Sequence, residues 1–286
     1  DPSLPSNRSA GSSLRLRESD HGFFLDSATK ASFFLESAAI DAAARGELRD
    51  VASKRKAVRK VAHGIHLTKG PFQDFTISEK VAIIASKLGL QKPIVAQTLY
   101  RLAPPLAPGV DRHQDSTTLY TEPPSVMGFW LALEKSDQAN GCLRVRPGSH
   151  RSPLRERLVR RSICAANASA GGEQPDQGEA DGCHLRLVFE KLANEPAAPD
   201  SEFIPVEMAS GDLLVMHGST EHFSAAGVDP ARSRESFQIH IIEAESRWAP
   251  DNWLQYPRGM EFMPLPSLTG VSGPSGASEP PQHDEF

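Results

Sequence analysis

The sequence lacks most of what would place it in a specialised class. Three of its 286 residues are cysteine (Cys142, Cys164 and Cys183). They are widely spaced and contain no C-x-x-C pair, which excludes a disulfide-stapled scaffold and a zinc knuckle. A low, odd count fits a reducing compartment. No apolar run approaches the ~18 residues a membrane span needs. Basic residues are outnumbered, 31 Lys and Arg against 36 Asp and Glu, for a formal charge of −5. That balance argues against a nucleic-acid partner held by bulk charge. No repeat recurs at a fixed period. What remains is an ordinary globular balance, 39% hydrophobic and 23% charged, enough to bury a sizeable core in one large domain.

Composition divides the chain. Residues 1–20 are rich in Ser, Pro and charge, and residues 269–286 repeat Gly, Ser and Pro, so both are expected to be disordered tails. Between them, residues 21–268 read as one domain. The small and acidic stretch 165–182 reads as a surface loop inserted in that domain. The chain begins at Asp1, not Met, and its last residues, His283-Asp284-Glu285-Phe286, come within one residue of the H-D-E-L retention address.

Two helical signals lie near the front. Val51 to His66 is strongly basic. Ser78 to Leu88 opens with Ser78 as N-cap, spaces Val81, Ile84, Ala85 and Leu88 at helical intervals and stops at Gly89. From Pro93 the character changes to short β-prone runs: Ile94–Leu102, Val126–Leu133, Cys142–Arg146, Leu185–Phe189, Phe203–Met208, Leu213–His217 and Ser236–Ile242. Turn signals such as Pro104-Pro105, Asn140-Gly141, Pro147-Gly148 and Ser210-Gly211-Asp212 separate them. Short strands in series predict a sandwich or closed barrel, not βαβ units. The expected architecture is mainly β, a helical front packed on an antiparallel barrel.

His113-Gln114-Asp115 is the first candidate for chemistry. In an extended chain residues i and i+2 share a face, so the imidazole and carboxylate can grip one ion. Alone the motif is weak, since chance produces about 0.6 of them in a chain of this composition. Its company raises its weight. Gly211 to His222 is a turn, an apolar strand and then a histidine, with Arg232 and Arg234 beyond. A third ligand from that distant strand would complete a two-histidine, one-carboxylate facial triad with three open positions, which suits non-haem Fe(II). An arginine beyond it could hold a remote carboxylate bidentately.

The ordered set H-Q-D…L-Y-T-E-P, N-G-C-L…P-G-S-H (Asn140 to His150), G-D-L-L-V-M-H-G…H and R-x-R resembles the phytanoyl-CoA dioxygenase family, from about Gly22 to Leu268. The resemblance implies a double-stranded β-helix, a jelly-roll or cupin-like barrel flanked by α-helices, with Fe(II) as metal and 2-oxoglutarate as co-substrate, ascorbate serving as reductant. It implies His113, Asp115 and His222 as iron ligands and Arg234 as the arginine for the co-substrate carboxylate. It also places Trp130, Lys60, Leu99 and Gln114 against that co-substrate, Leu99 standing where a relative has Met. The implied reaction is hydroxylation of a small molecule, an acyl-CoA or another lipid-like compound, with release of succinate and CO2. Related halogenases lack the carboxylate that Asp115 supplies. The helical N-terminal portion usual in the family is expected to be missing or replaced by residues 1–20.

Each assignment has a rival. His217 ends the apolar strand and reads as a hydrogen-bonded core residue, whereas His222 leaves room for the facial geometry. Arg232 competes with Arg234, because the stretch after His222 is one residue longer than in a relative. Trp130 on an apolar strand could be plain core, and Lys60 one charge on a solvated helix face. His150 would stabilise its turn, and His63 and His66 read as structural or pocket-lining. Arg151, Arg155, Arg157, Arg160 and Arg161 follow the P-G-S-H turn, either as a solvated basic segment or as a patch for the phosphates of a coenzyme A thioester. Two other classes compete with the oxygenase: a non-catalytic cupin-like binding module, and a zinc hydrolase, for which no H-E-x-x-H motif is present.

Overall fold

The computed structural model describes residues 21–268 apart from 37–38, 41–44, 48–49, 51–55, 165–182 and 195. The expected tails and the 165–182 insertion therefore lie outside the described residues. The largest sheet runs β1 (Ala31–Leu35), β2 (Val58–His63), β3 (Pro93–Ala103), β13 (Arg234–Glu243), β6 (Met127–Ala132) and β11 (Leu213–His217), with β15 (Met263–Pro264) also paired to β3. Facing it is a smaller sheet in the order β10 (Ile204–Val206), β7 (Leu143–Val145), β12 (His222–Ser224) and β4 (Val110–His113). Two ribbons complete the set, β8 (Glu156–Cys164) with β9 (Cys183–Lys191) and β5 (Thr121–Glu122) with β14 (Arg247–Trp248). Every pairing between these strands is antiparallel. This is the two-sheet, double-stranded β-helix arrangement.

β13 shows why the barrel can hold a polar site. Its sequence alternates, and alternate residues of a strand face opposite sides. Phe237, Ile239 and Ile241 face outward into a core with Phe129, Val81, Ala82 and Ala85. Arg234, Ser236, Gln238 and His240 face the interior. Cross-strand register continues that interior face in rows: Ala62, Leu99, Gln238 and Trp130 in one, Lys60, Arg101, Ser236 and Ala132 in the next. An apolar outer face and a polar inner one are the signature of a barrel that closes around something other than its own core.

Of the helices, α1 (His21–Asp26) and α2 (Pro71–Thr76) are short, while α3 (Glu79–Lys87) is the expected one. Ser78 takes the N-cap position, but its hydroxyl makes no capping bond. Gly89 follows at φ +94°, which stops the helix as the sequence predicts. The other expected helix, Val51 to His66, lies partly outside the described residues and does not continue past residue 57. Residues 58–63 are strand β2, with Lys60 and Ala62 turned inward. The basic residues imitate a solvated helix face, yet β-branched Val58 and Val61 suit a strand, and pairing to β1 and β3 on both sides decides the matter. Among the described residues no helix is long and apolar enough to cross a membrane.

Candidate metal centre and co-substrate pocket

β4 and β12 are neighbours in the smaller sheet, and His113 is directly opposite His222. Their rings stand 4.3 Å apart, centroid to centroid. Strand β4 ends at His113, and Asp115 opens a 3₁₀ turn instead of continuing the strand. Gln114 stays extended between them (φ −118°, ψ 136°), so the expected sharing of a face survives the end of the strand. One atom from each of His113, Asp115 and His222 falls within 4.8 Å of the others. Asp115 Oδ1 lies 3.8 Å from His113 Nε2 and 3.7 Å from His222 Nε2.

The two imidazoles are oriented by their own backbone. His113 Nδ1 donates to the Asp111 carbonyl at 2.7 Å and His222 Nδ1 to the Thr220 carbonyl at 3.0 Å. With Nδ1 holding the proton, each Nε2 lone pair is directed at the shared point, as metal-ligating histidines require. Burial, reinforced by His222 and opposed by Asp115, draws the His113 pKa down to about 4, so this ligand is neutral at physiological pH. Burial would raise the Asp115 carboxyl, but the surrounding histidines, His240 first among them, hold it below the usual carboxylate range. An ionised carboxylate and two imidazoles whose Nε2 atoms face one point form a donor set that fits a divalent ion of the Fe(II) type.

The second oxygen of Asp115 reveals residues that sequence reasoning missed. His240 Nε2 lies 3.2 Å from Asp115 Oδ2. Gln97 Nε2 reaches His240 Nδ1 at 3.2 Å. The amide donates to Nδ1, which leaves the Nε2 proton for the carboxylate. Gly128 sits behind the same oxygen, where an added Cβ would come within 2.7 Å of Oδ2. Buried Glu221, beside His222, accepts a hydrogen bond from Arg146 at 3.1 Å and is ion-paired with Arg155 at 3.2 Å. Its backbone N–H donates to Ser149 Oγ at 2.9 Å, and that hydroxyl donates to the Arg146 carbonyl at 2.7 Å. The serine of P-G-S-H thus tethers the strand that carries a ligand. His240 carried a signal in the sequence, as a polar residue in phase with Arg234 along β13, and Gln97 faces it from β3.

Arg234 opens β13 and is 3% exposed. Its sole polar contact among the described residues is a long one, Nη2 to Ser224 Oγ at 3.4 Å. Its Nε is buried without a partner, and its guanidinium carbon lies 5.8 Å from the Trp130 ring centroid. Burial lowers its pKa. A buried guanidinium without a carboxylate is costly, and the geometry is that of a socket for an anion. Arg232, the rival, is paired bidentately with Asp137 at 2.9 and 3.1 Å.

The other expected pocket residues are distributed as follows. Trp130 is buried, Leu99 half-buried, both in the row of Gln238, two rows along the inner face from Arg234. Lys60 is buried on the intervening row of Ser236, its Nζ 4.3 Å from the Phe34 ring centroid. Burial, then the Arg59 and Arg101 charges, holds its pKa well below the ordinary value. The solvated-face reading of Lys60 is corrected: a strand, not a helix, turns it inward. Gln114 is turned away from the His113, Asp115 and His222 cluster, its amide donating to the Ser219 carbonyl at 2.8 Å and accepting from Arg155 N–H at 3.0 Å. His217 stands outside the ligand cluster and accepts from Ser219 N–H at 3.1 Å. His63 bonds to Ser27 at 2.7 Å, and His66 to Thr98 at 3.0 Å and Tyr256 at 3.2 Å. The basic run is largely consumed by ion pairs: Arg155 with Glu221, Arg157 with Asp251, Arg161 with Glu190.

A two-sheet barrel with this ligand trio defines a non-haem metal oxygenase. The family profile described as Phytanoyl-CoA dioxygenase (PhyH) matches residues 21–234. The chain is 35% identical over 246 residues to phytanoyl-CoA dioxygenase domain-containing protein 1 of Bos taurus, covering 85% of this chain and 76% of that one. It is 34% identical over 235 residues to phytanoyl-CoA dioxygenase of Arabidopsis thaliana, covering 82% and 73%. The crystal structure of the non-heme alpha ketoglutarate dependent carbocyclase SnoK has the same fold, with a TM-score of 0.51 at 16% identity over 90% of this chain and 99% of that one. The chain belongs to the phytanoyl-CoA dioxygenase family and is an oxidoreductase of the non-haem iron, 2-oxoglutarate-dependent kind.

Proposed function

We propose that the protein, as one catalytic domain spanning residues 21–268, hydroxylates a small molecule at the expense of 2-oxoglutarate and O2, releasing succinate and CO2. The observation that carries the reading is the pairing of a two-histidine, one-carboxylate site with a buried, carboxylate-free arginine across the same interior. Iron held by His113, Asp115 and His222 would supply O2 activation coupled to oxidative decarboxylation of the co-substrate. Arg234, with Ser224 beside it, binds the distal carboxylate and so fixes the direction of the co-substrate chain. Trp130 and Leu99 wall the chain and exclude water. Lys60 is placed to approach the same molecule. His240 and Gly128 keep Asp115 aimed, through a hydrogen bond on one side and a lack of bulk on the other. No side chain is required as a general acid or base, so the protein's contribution is position and dryness. Ascorbate would act only to keep the iron reduced.

A coenzyme A thioester draws little support from the basic run, three of whose five arginines, Arg155, Arg157 and Arg161, already hold carboxylates. The complete ligand set and the empty guanidinium weigh against a non-catalytic binding module. The fold alone does not choose the outcome: among similar folds, SnoK is named as a carbocyclase and SnoN as an epimerase. Incubation with Fe(II), 2-oxoglutarate and isotopically labelled O2 against a panel of small organic acids, amides and alcohols tests the reading. A product that gains one labelled oxygen atom supports hydroxylation. A product that forms with succinate but gains no oxygen assigns the chain to ring closure or epimerisation instead.

A further inference from the structure

The interior holds one positive charge more than the metal and co-substrate use. Arg101 lies on β3 between Lys60 of β2 and Ser236 of β13, facing inward. It is half-buried, and among the described residues its guanidinium has neither a hydrogen bond nor an ion pair. Burial, then Arg59 and Arg234, lowers its pKa to about 9, with Glu36 acting the other way; it stays cationic at neutral pH. Its field also reaches His113, one of the metal ligands. Arg234 is directed elsewhere, toward Trp130, Ser224 and Cys142.

Charge balance shows what this cation lacks. A divalent metal, one carboxylate ligand, a dianionic co-substrate and Arg234 sum to zero. Lys60, its pKa held well below the ordinary value by burial and by the Arg59 and Arg101 charges, supplies no anion for Arg101. Glu36 and Arg59 act on Arg101 with opposite signs. Arg101 is left uncompensated in a low-dielectric interior, where an unpaired charge is costly.

Resting on the oxygenase reading above, we propose that Arg101 binds a carboxylate of the primary substrate beside the co-substrate, and that the enzyme acts on a small free carboxylic acid and not on its thioester. An acyl thioester is neutral where it would meet this guanidinium, and the phosphates of coenzyme A lie far from the acyl carbon. A free acid brings the missing anion to the interior and is oriented by a forked donor pair. Arg101 is then a specificity-determining residue, separate from the co-substrate clamp.

Calorimetric titration of the Mn(II)-loaded protein tests this in two stages. 2-Oxoglutarate is titrated first; a failure to bind overturns the oxygenase reading itself. The Mn(II)–2-oxoglutarate complex is then titrated with short-, medium- and long-chain carboxylic acids and with their methyl esters. At least one acid is expected to bind about tenfold or more tightly than its ester. Arg101→Met and Arg101→Gln, two replacements of different shape, should each abolish that preference while leaving 2-oxoglutarate affinity within about twofold of wild type. Both should also melt no earlier than wild type in the metal-free state, since they remove an unpaired cation. A wild-type protein with no acid preferred over its ester overturns the proposal, as does a preference that survives both replacements. So does a tenfold loss of 2-oxoglutarate affinity, which would assign Arg101 to the co-substrate.

Discussion

Alanine at Gly128 should weaken metal binding without harming the fold. Gly128 lies within β6 in ordinary extended backbone, not at a positive φ. Alanine relieves the conformational freedom of glycine, a gain of roughly 0.5–1 kcal/mol in a strand or helix. The new methyl group would meet Asp115 Oδ2 at 2.7 Å, against an ordinary contact of at least 3.4 Å, so one of them must retreat by about 0.7 Å. The sheet backbone is pinned by β13 on one side and β11 on the other, and the carboxylate yields. Its Oδ1 then leaves the point shared with His113 and His222, and the bond from His240 to Oδ2 is strained. A metal–oxygen distance tolerates about 0.2 Å, and comparable outer-shell losses cost about 10- to 100-fold in affinity. Mn(II) or Co(II) titration followed by calorimetry should show that loss in Gly128→Ala, with a metal-free melting temperature equal to or above wild type. Metal affinity within twofold of wild type would refute the idea that Gly128 makes room for the ligand carboxylate.

Other replacements bear on the same site. His240→Ala removes the donor to Asp115 Oδ2 and should also raise the metal Kd by about 10- to 100-fold, measured by the same titration; an unchanged Kd would make His240 a bystander. Arg234→Lys should raise the Kd for 2-oxoglutarate by about ten- to a hundredfold, since a forked contact to a charged group is worth ~1.5–3 kcal/mol, while Arg232→Lys, replacing a side chain already held by Asp137, should not. Equal effects in calorimetry would contradict that division. Burial holds the His66 pKa near 4, below its unfolded value of about 6.5. The native state thus refuses a proton that the unfolded chain accepts. The stability this represents is complete above about pH 6.5 and falls toward pH 4 by up to ~1.4 kcal/mol per pH unit. Denaturant melts of metal-free wild type and His66→Gln at several pH values should show the steeper acid loss in wild type.

Much of β13 is legible in the chain, because its polar and apolar residues alternate with the strand period and nothing else competes for them. The approach of His113 and Asp115 is legible for a related reason: their spacing survives whether the second residue stays in the strand or opens a turn. Strand β2 is not legible. Lys60 and Arg59 beside it carry the marks of a solvated helix, and only the pairing of β2 between β1 and β3, a long-range fact, turns Lys60 inward. β12 escaped because three residues show no period. Alternation does not separate Arg234 from Arg232, since residues two apart share a face, and the sequence favours Arg234 only because it opens a β-prone run; Asp137, nearly a hundred residues upstream, holds Arg232 in the structure. His240 and Gln97 went unassigned for the same reason, since their roles exist only across neighbouring strands.

The claim that an iron site built from His113, Asp115 and His222 drives 2-oxoglutarate turnover is tested most directly by succinate release. Wild-type protein, His222→Ala and His217→Ala should be compared with Fe(II), 2-oxoglutarate, ascorbate and O2, and again with Zn(II) in place of iron. Wild type and His217→Ala should form succinate with Fe(II) and not with Zn(II), and His222→Ala should remain at background. Succinate formation by His222→Ala at the wild-type rate, or none by wild type with Fe(II), would contradict the account.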